Sequence, residues 1–125
     1  MKRNDIKVSD SELELLRRLW EESPLGATEL AERAAPNRGW SLTTVKTLLS
    51  RLVAKGAVAA DRDGRRYLYR PLLEKDALAR RQAGGLVDRL FGGRVSPLVA
   101  QLAEQRDIDA DDLDELEALI RRLRK

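Results

Sequence analysis

Trp40-Ser41-Leu42-Thr43-Thr44-Val45-Lys46-Thr47-Leu48-Leu49-Ser50-Arg51-Leu52-Val53-Ala54-Lys55-Gly56-Ala57 is the stretch that decides the fold. Val45, Leu48, Leu49 and Leu52 recur at helical spacing and make one apolar stripe. Ser41 stands where an N-cap hydroxyl is wanted, and Gly56 where a helix commonly ends in the left-handed conformation. The spacing therefore predicts a helix from Leu42 to Lys55. Its opposite face carries Thr43, Thr44, Lys46, Thr47, Ser50 and Arg51, all hydroxyls or cations. Threonine is a poor helix former, so three of them near a helix start ask for a reason beyond an ordinary solvated surface.

The flanking sequence supplies the context. Upstream, Ser9-Asp10-Ser11-Glu12 has the form of a capping box. Leu13, Leu16, Leu19 and Trp20 continue it as a helix from about Asp10 to Glu22, which Ser23-Pro24 stops. Leu25 to Ala27 reads as a short strand and Thr28 to Ala34 as a short helix with Leu30 and Ala34 inward. Ala35-Pro36-Asn37-Arg38-Gly39 is a breaker cluster. Downstream, Ala57 to Arg62 and Arg65 to Arg70 are strand-like runs joined by Asp63-Gly64, a two-residue hairpin signal. Pro71 ends the second run. The order helix, short strand, helix, helix, hairpin is that of a winged helix-turn-helix.

The expected fold is thus mainly α with a small β-hairpin wing, in two parts. Residues 1–72 form the winged helix and residues 73–125 a helical region. In the latter, Leu72 to Phe91 reads as a helix interrupted by Gly84-Gly85, where about 1 kcal/mol per glycine favours a kink or fraying. Pro97 opens a short helix to about Gln105, and Asp109 caps a final one. So short a region cannot bury a good core alone, which points to a second copy of the chain. Leu86, Leu90, Phe91, Leu98, Leu102, Leu113, Leu116, Leu119, Ile120 and Leu123 are its candidate dimerisation residues.

Composition removes whole classes of chemistry. The 125 residues include no cysteine and no histidine. Disulfides, thiolate nucleophiles, histidine bases and Cys/His metal sites are all excluded. With no glycine-rich phosphate loop either, no catalytic set and no cofactor site are expected. The acidic run Asp107 to Glu117 reads as a helix N-terminus rather than a metal site. No apolar run is long enough for a bilayer, and Met1 to Asp10 lacks the apolar centre of a signal peptide, so a cytoplasmic protein with no membrane insertion is expected.

The net charge of +3 is unevenly spread. Between Arg38 and Arg70 stand eight basic residues (Arg38, Lys46, Arg51, Lys55, Arg62, Arg65, Arg66, Arg70) against Asp61 and Asp63. A basic block beside an acidic C-terminal run suggests a polyanion-binding face, double-stranded DNA above all. In a winged helix the second helix of the pair enters the major groove. Arg51 can then bond a guanine edge, and Thr43, Thr44 and Thr47 can meet thymine methyls or accept from bases. Lys46, Arg65 and Arg66 suit phosphates. The bland alternative for the wing arginines is edge-strand charge that blocks aggregation. Trp40 has two readings, a staple against the helix it precedes or an indole N–H donor to a phosphate, and the staple is preferred. Trp20, Tyr67 and Tyr69 read as structural. Two rival functions keep the same fold: a winged-helix protein-interaction module, and a non-specific architectural DNA-binding protein.

The quoted run resembles the recognition-helix signature of the penicillinase repressor family, which includes beta-lactamase, methicillin-resistance and copper-responsive repressors. Val8-Ser9-Asp10-Ser11-Glu12, Gly64-Arg65-Arg66-Tyr67-Leu68-Tyr69 and Leu90-Phe91-Gly92-Gly93 agree with it. The resemblance implies a homodimeric repressor on an inverted-repeat operator with half-sites like TACA and TGTA, its C-terminal helices interlocked. It also implies DNA-facing roles for Trp40, Ser41, Thr43, Thr44, Thr47, Ser50 and Arg51, with Arg65 and Arg66 on the wing. Release from DNA would follow from loss of the dimer or from another signal. In the beta-lactam-responsive members, a membrane sensor protease triggers cleavage at an Asn-Phe bond. The aligned pair here, Gln101-Leu102, departs from that pattern, so this partner and this cleavage site rest on the resemblance alone. The cysteine motif of the copper-responsive members is absent.

Overall fold

Ser9 opens the first helix as its spacing predicts. The Ser9 hydroxyl accepts from the Glu12 N–H at 3.1 Å, and the Ser9 N–H donates to Glu12 Oε1 at 2.9 Å. The computed structural model describes residues 6–125. Met1–Asp5, half of the charged N-terminal run, lie outside the described residues. The elements are α1 (Asp10–Glu21), α2 (Ala27–Ala34), α3 (Leu42–Ala54), β1 (Val58–Asp63), β2 (Arg66–Pro71), α4 (Lys75–Phe91), α5 (Val95–Gln105) and α6 (Ala110–Leu123). They divide into two compact units between Arg81 and Gln82.

The first unit is a winged helix. Leu15, Leu16 and Leu19 of α1, Leu30 and Ala34 of α2, and Val45, Leu48, Leu49 and Leu52 of α3 fill its core with Ile6, Leu25, Ala57, Val58, Leu73 and Leu78. Each fully buried leucine stabilises by roughly 1.5–3 kcal/mol. The stripe of α1 lies one position round from expectation. Leu15 is buried, whereas Leu13 and Trp20 are partly buried at the core margin. Trp20 uses that position, its indole N–H donating to the Leu73 carbonyl at 2.9 Å.

The wing departs from expectation by one residue. β1 and β2 pair antiparallel with Asp63 opposite Arg66, so Gly64-Arg65 is the two-residue loop, not Asp63-Gly64. Gly64 has φ +64° and no non-glycine residue among those described has positive φ. A turn with glycine at its first central position and an ordinary residue at the second has the pattern of type II′ rather than I′. The strand expected at Leu25 to Ala27 shrinks to a single bridge, Leu25 with Tyr69. Its two hydrogen bonds (Leu25 N to Tyr69 O, 3.1 Å; Tyr69 N to Leu25 O, 2.8 Å) fasten the wing to the segment that leads into α2, which begins at once with Ala27.

α4 starts at Lys75 rather than Leu72. The N–H groups of Leu72 and Leu73 both donate to the Ala57 carbonyl and tie that segment to the start of the hairpin instead. The helix then runs unbroken through Gly84-Gly85. Two glycine penalties are smaller than the cooperative gain of the turns on either side. α5 begins at Val95, ahead of Pro97, whose missing N–H lies in the first turn, where it is unpaired anyway. In α6, Asp109 Oδ1 accepts from the Asp112 N–H at 2.9 Å. No residue from 82 to 125 is buried.

Candidate nucleic-acid interface

The face of α3 away from the core is built by the same periodicity that builds the core. Thr43, Lys46, Thr47, Ser50 and Arg51 follow i, i+3, i+4, i+7, i+8 spacing and all are exposed, as is Thr44. Ser41 caps the helix, its oxygen accepting from the Thr44 N–H at 3.2 Å while its hydroxyl meets Thr44 Oγ1 at 3.1 Å. Thr47 donates its hydroxyl to the Thr43 carbonyl at 3.0 Å. That bond commits the proton, so the exposed Thr47 hydroxyl keeps acceptor capacity only. Trp40 is half-buried against the core, as a staple should be, with the Arg38 guanidinium 5.4 Å from its ring centre.

The basic block separates into committed and uncommitted charges. Lys55 Nζ lies 2.5 Å from Glu12 Oε1 and donates to the Lys7 carbonyl at 2.9 Å. Glu12 is buried. Burial pushes its carboxyl up, but the Lys55 ammonium and the Ser9 N–H outweigh this and hold it below its ordinary value. Arg70 pairs with Asp61 at 2.7 Å. Arg62 lies over the Tyr67 ring and donates to the Gly64 carbonyl. Arg66 pairs with Glu29 at 3.1 Å and more loosely with Asp63 at 3.8 Å. Lys46, Arg51 and Arg65 are exposed, and no ion pair or hydrogen bond of their side chains is found among the described residues.

These parts meet in one cleft of about 340 Å³ within the first unit, lined by Gly26 and Thr28 at the α2 start, Lys46 of α3, and Arg65, Arg66 and Tyr67 of the wing. Arg51 and Ser50 lie further along α3, outside that lining. Tyr67 is exposed, so only Tyr69 of the pair covers core as expected. Burial and the neighbouring Tyr67 push the Tyr69 phenol up, keeping it neutral. The role of Glu29 was not read from the sequence, although Gly26-Ala27-Thr28-Glu29 has capping-box spacing with glycine at the cap. The Lys55 to Glu12 pair had no local signal at all.

In the second unit, Leu90, Leu102, Leu113, Leu119, Ile120 and Leu123 are exposed, and Leu86, Phe91, Leu98 and Leu116 half-exposed. Gln101 and Leu102 are both exposed within α5, helical backbone rather than a loop. No helix among the described residues is long and apolar enough to cross a membrane. No group of three acidic residues among them is arranged to hold a metal ion.

The penicillinase repressor family profile matches residues 8–122. The penicillinase repressor of Bacillus licheniformis is 26% identical over 88% of this chain and 86% of its own length. The methicillin resistance regulatory protein MecI of Mammaliicoccus sciuri is 24% identical over 96% of this chain and 98% of its own. Among solved structures, the DNA-binding domain of the repressor BlaI is 30% identical, with a TM-score of 0.52 over 58% of this chain and 88% of that domain.

Proposed function

This chain belongs to the penicillinase repressor family, and from that premise we propose that it is a DNA-binding transcriptional repressor acting as a homodimer on an inverted repeat. The observation that carries this reading is the division of charge. The cations without a partner among the described residues include Lys46 and Arg51 on the outer face of α3 and Arg65 on the wing. With α3 in the major groove, Arg51, Thr43, Thr44 and Thr47 face base edges, and Lys46 and Arg65 face phosphates. Ser41 and Trp40 fix the start of the helix, and Ser50 faces the duplex beside Arg51.

The homodimer rests on a second observation, that nothing from residue 82 onward is buried while its leucines lie exposed or half-exposed along the helices. A dimer holds two recognition helices about one DNA turn apart, roughly 34 Å, to meet half-sites like TACA and TGTA. Repression follows from occupying the promoter, and derepression from losing the dimer.

Fluorescence anisotropy with a TACA/TGTA inverted repeat and a scrambled duplex, across a salt series, tests this. Preference for the repeat at physiological salt is the expected result. Equal and steeply salt-dependent binding to both duplexes makes the protein an architectural binder. Binding to neither makes the winged helix a protein-interaction module.

A further inference from the structure

Among the described residues, Glu29 is the one carboxylate that another element pairs with a cation of the wing. Its Oε1 accepts from the Gly26 N–H at 3.0 Å and from Arg66 Nη1 at 3.1 Å. Gly26 is what allows this. Its φ is an ordinary −83°, so no backbone strain asks for glycine. A Cβ there would stand 3.2 Å from Glu29 Oε1, tighter than ordinary contact, and 3.4 Å from Arg66 Nη1, at its edge. The missing side chain makes room for the carboxylate and guanidinium together. Glu29 and Arg66 side chains are 37% and 59% exposed, so the pair is too wet to hold the wing in place by itself. The wing is already fastened by the backbone bridge between Leu25 and Tyr69. The contact is therefore electrostatic in effect rather than architectural.

We propose that Glu29 withholds the Arg66 charge from DNA and so limits the sequence-independent part of the protein's affinity for a duplex. This rests on the DNA-binding reading above and revises the phosphate role expected for Arg66. Every phosphate contact strengthens binding to all sequences alike, so a wing that used Arg65 and Arg66 together would bind any duplex more tightly. Glu29 occupies Arg66, and the bidentate and methyl contacts of α3 then make up a larger share of operator affinity. Glu32 lies on the same helix, exposed, with no ion pair or hydrogen bond of its side chain among the described residues, and serves as the charge-matched control.

The test uses the full chain and its Glu29→Gln, Glu32→Gln, Arg66→Gln and Arg65→Gln variants. Glutamine at 29 keeps the cap on Gly26, since capping boxes accept Glu or Gln. Anisotropy titrations on the inverted repeat and the scrambled duplex follow affinity and salt slope. Glu29→Gln is expected to raise affinity several-fold on both duplexes and to steepen the slope by about 0.9, one added phosphate contact. Glu32→Gln gives the smaller rise of net charge alone. Arg66→Gln leaves the slope unchanged, and Arg65→Gln lowers it by about 0.9. The inference is overturned if Arg66→Gln lowers the slope as Arg65→Gln does, or if Glu29→Gln weakens binding or matches Glu32→Gln. Should the parent chain bind neither duplex, the DNA reading falls separately. Elution from immobilised heparin then decides the pair: later elution of Glu29→Gln than of Glu32→Gln supports withheld charge, and co-elution refutes it.

Discussion

Glu12 sits almost wholly out of water with its charge intact, which requires that its partners replace the lost hydration. Lys55 and the Ser9 N–H do so and hold its carboxyl below its ordinary value although burial pushes it up. A carboxyl whose folded pKa is lowered contributes stability that is present above its unfolded value, about 4.3, and is lost as pH falls through the lowered folded value. Glu12→Gln is expected to cost about 1–3 kcal/mol at pH 7, through loss of the charge-assisted hydrogen bond with Lys55. The gap between parent and variant should narrow when urea melts are repeated near pH 3. A gap that stays constant would show that the ionised form is not what counts. On the α3 face, Arg51→Ala should cost about 1–3 kcal/mol on the operator and little on a scrambled duplex, while Arg65→Ala should weaken both and flatten the salt dependence. Equal loss on both duplexes for Arg51→Ala would make it a phosphate contact. The outer face of α3 was legible because period and residue type coincide there. The sorting of cations was not, because Lys55 and Glu12, or Arg66 and Glu29, become neighbours only when distant segments pack.

At the scale of elements, caps were the legible feature. Ser9, Ser41 and Asp109 each accept the hydrogen bond that their position in the sequence foretells. The misread features were those in which local chemistry admits two solutions. Asp63-Gly64 and Gly64-Arg65 are both good two-residue loops, and the pairing of Val58 to Asp63 with Arg66 to Pro71 selects the second. Gly84-Gly85 is a similar case, since propensity favours a break and continuity of hydrogen bonding favours a helix. α4 stays continuous, and a Cβ added at Gly84 would meet nothing within 4 Å. Gly84→Ala should therefore raise stability by about 1 kcal/mol, seen as a higher melting temperature. Loss of stability, or of self-association, would instead mean that a partner helix packs against that glycine.

For the molecule as a whole, the two units differ in what they can bury. The first gathers its core from three helices, the hairpin and the start of α4, and all the buried residues among those described belong to it. The second has none, yet Leu90 is 67% and Leu123 74% exposed on well-formed helices. Isolated helices of this length are marginal in water, and apolar faces of this extent are what the proposed dimer would cover. A second copy is the occupant proposed above, and affinity for DNA should depend on it, because joining two weak half-site contacts gains about 10²–10⁴ over either alone. Leu119→Asp places a charge on the exposed apolar face of α6, outside the winged-helix core. It should leave the melting of the first unit unchanged, while the helical far-UV signal of the second unit weakens as its cover is lost. Sedimentation should show a monomer, and operator affinity should fall by about that factor while binding to an isolated half-site persists. A variant that remains dimeric with full affinity would take α6 out of the interface and leave α4 and α5, through Leu86, Phe91, Leu98 and Leu102, to form it.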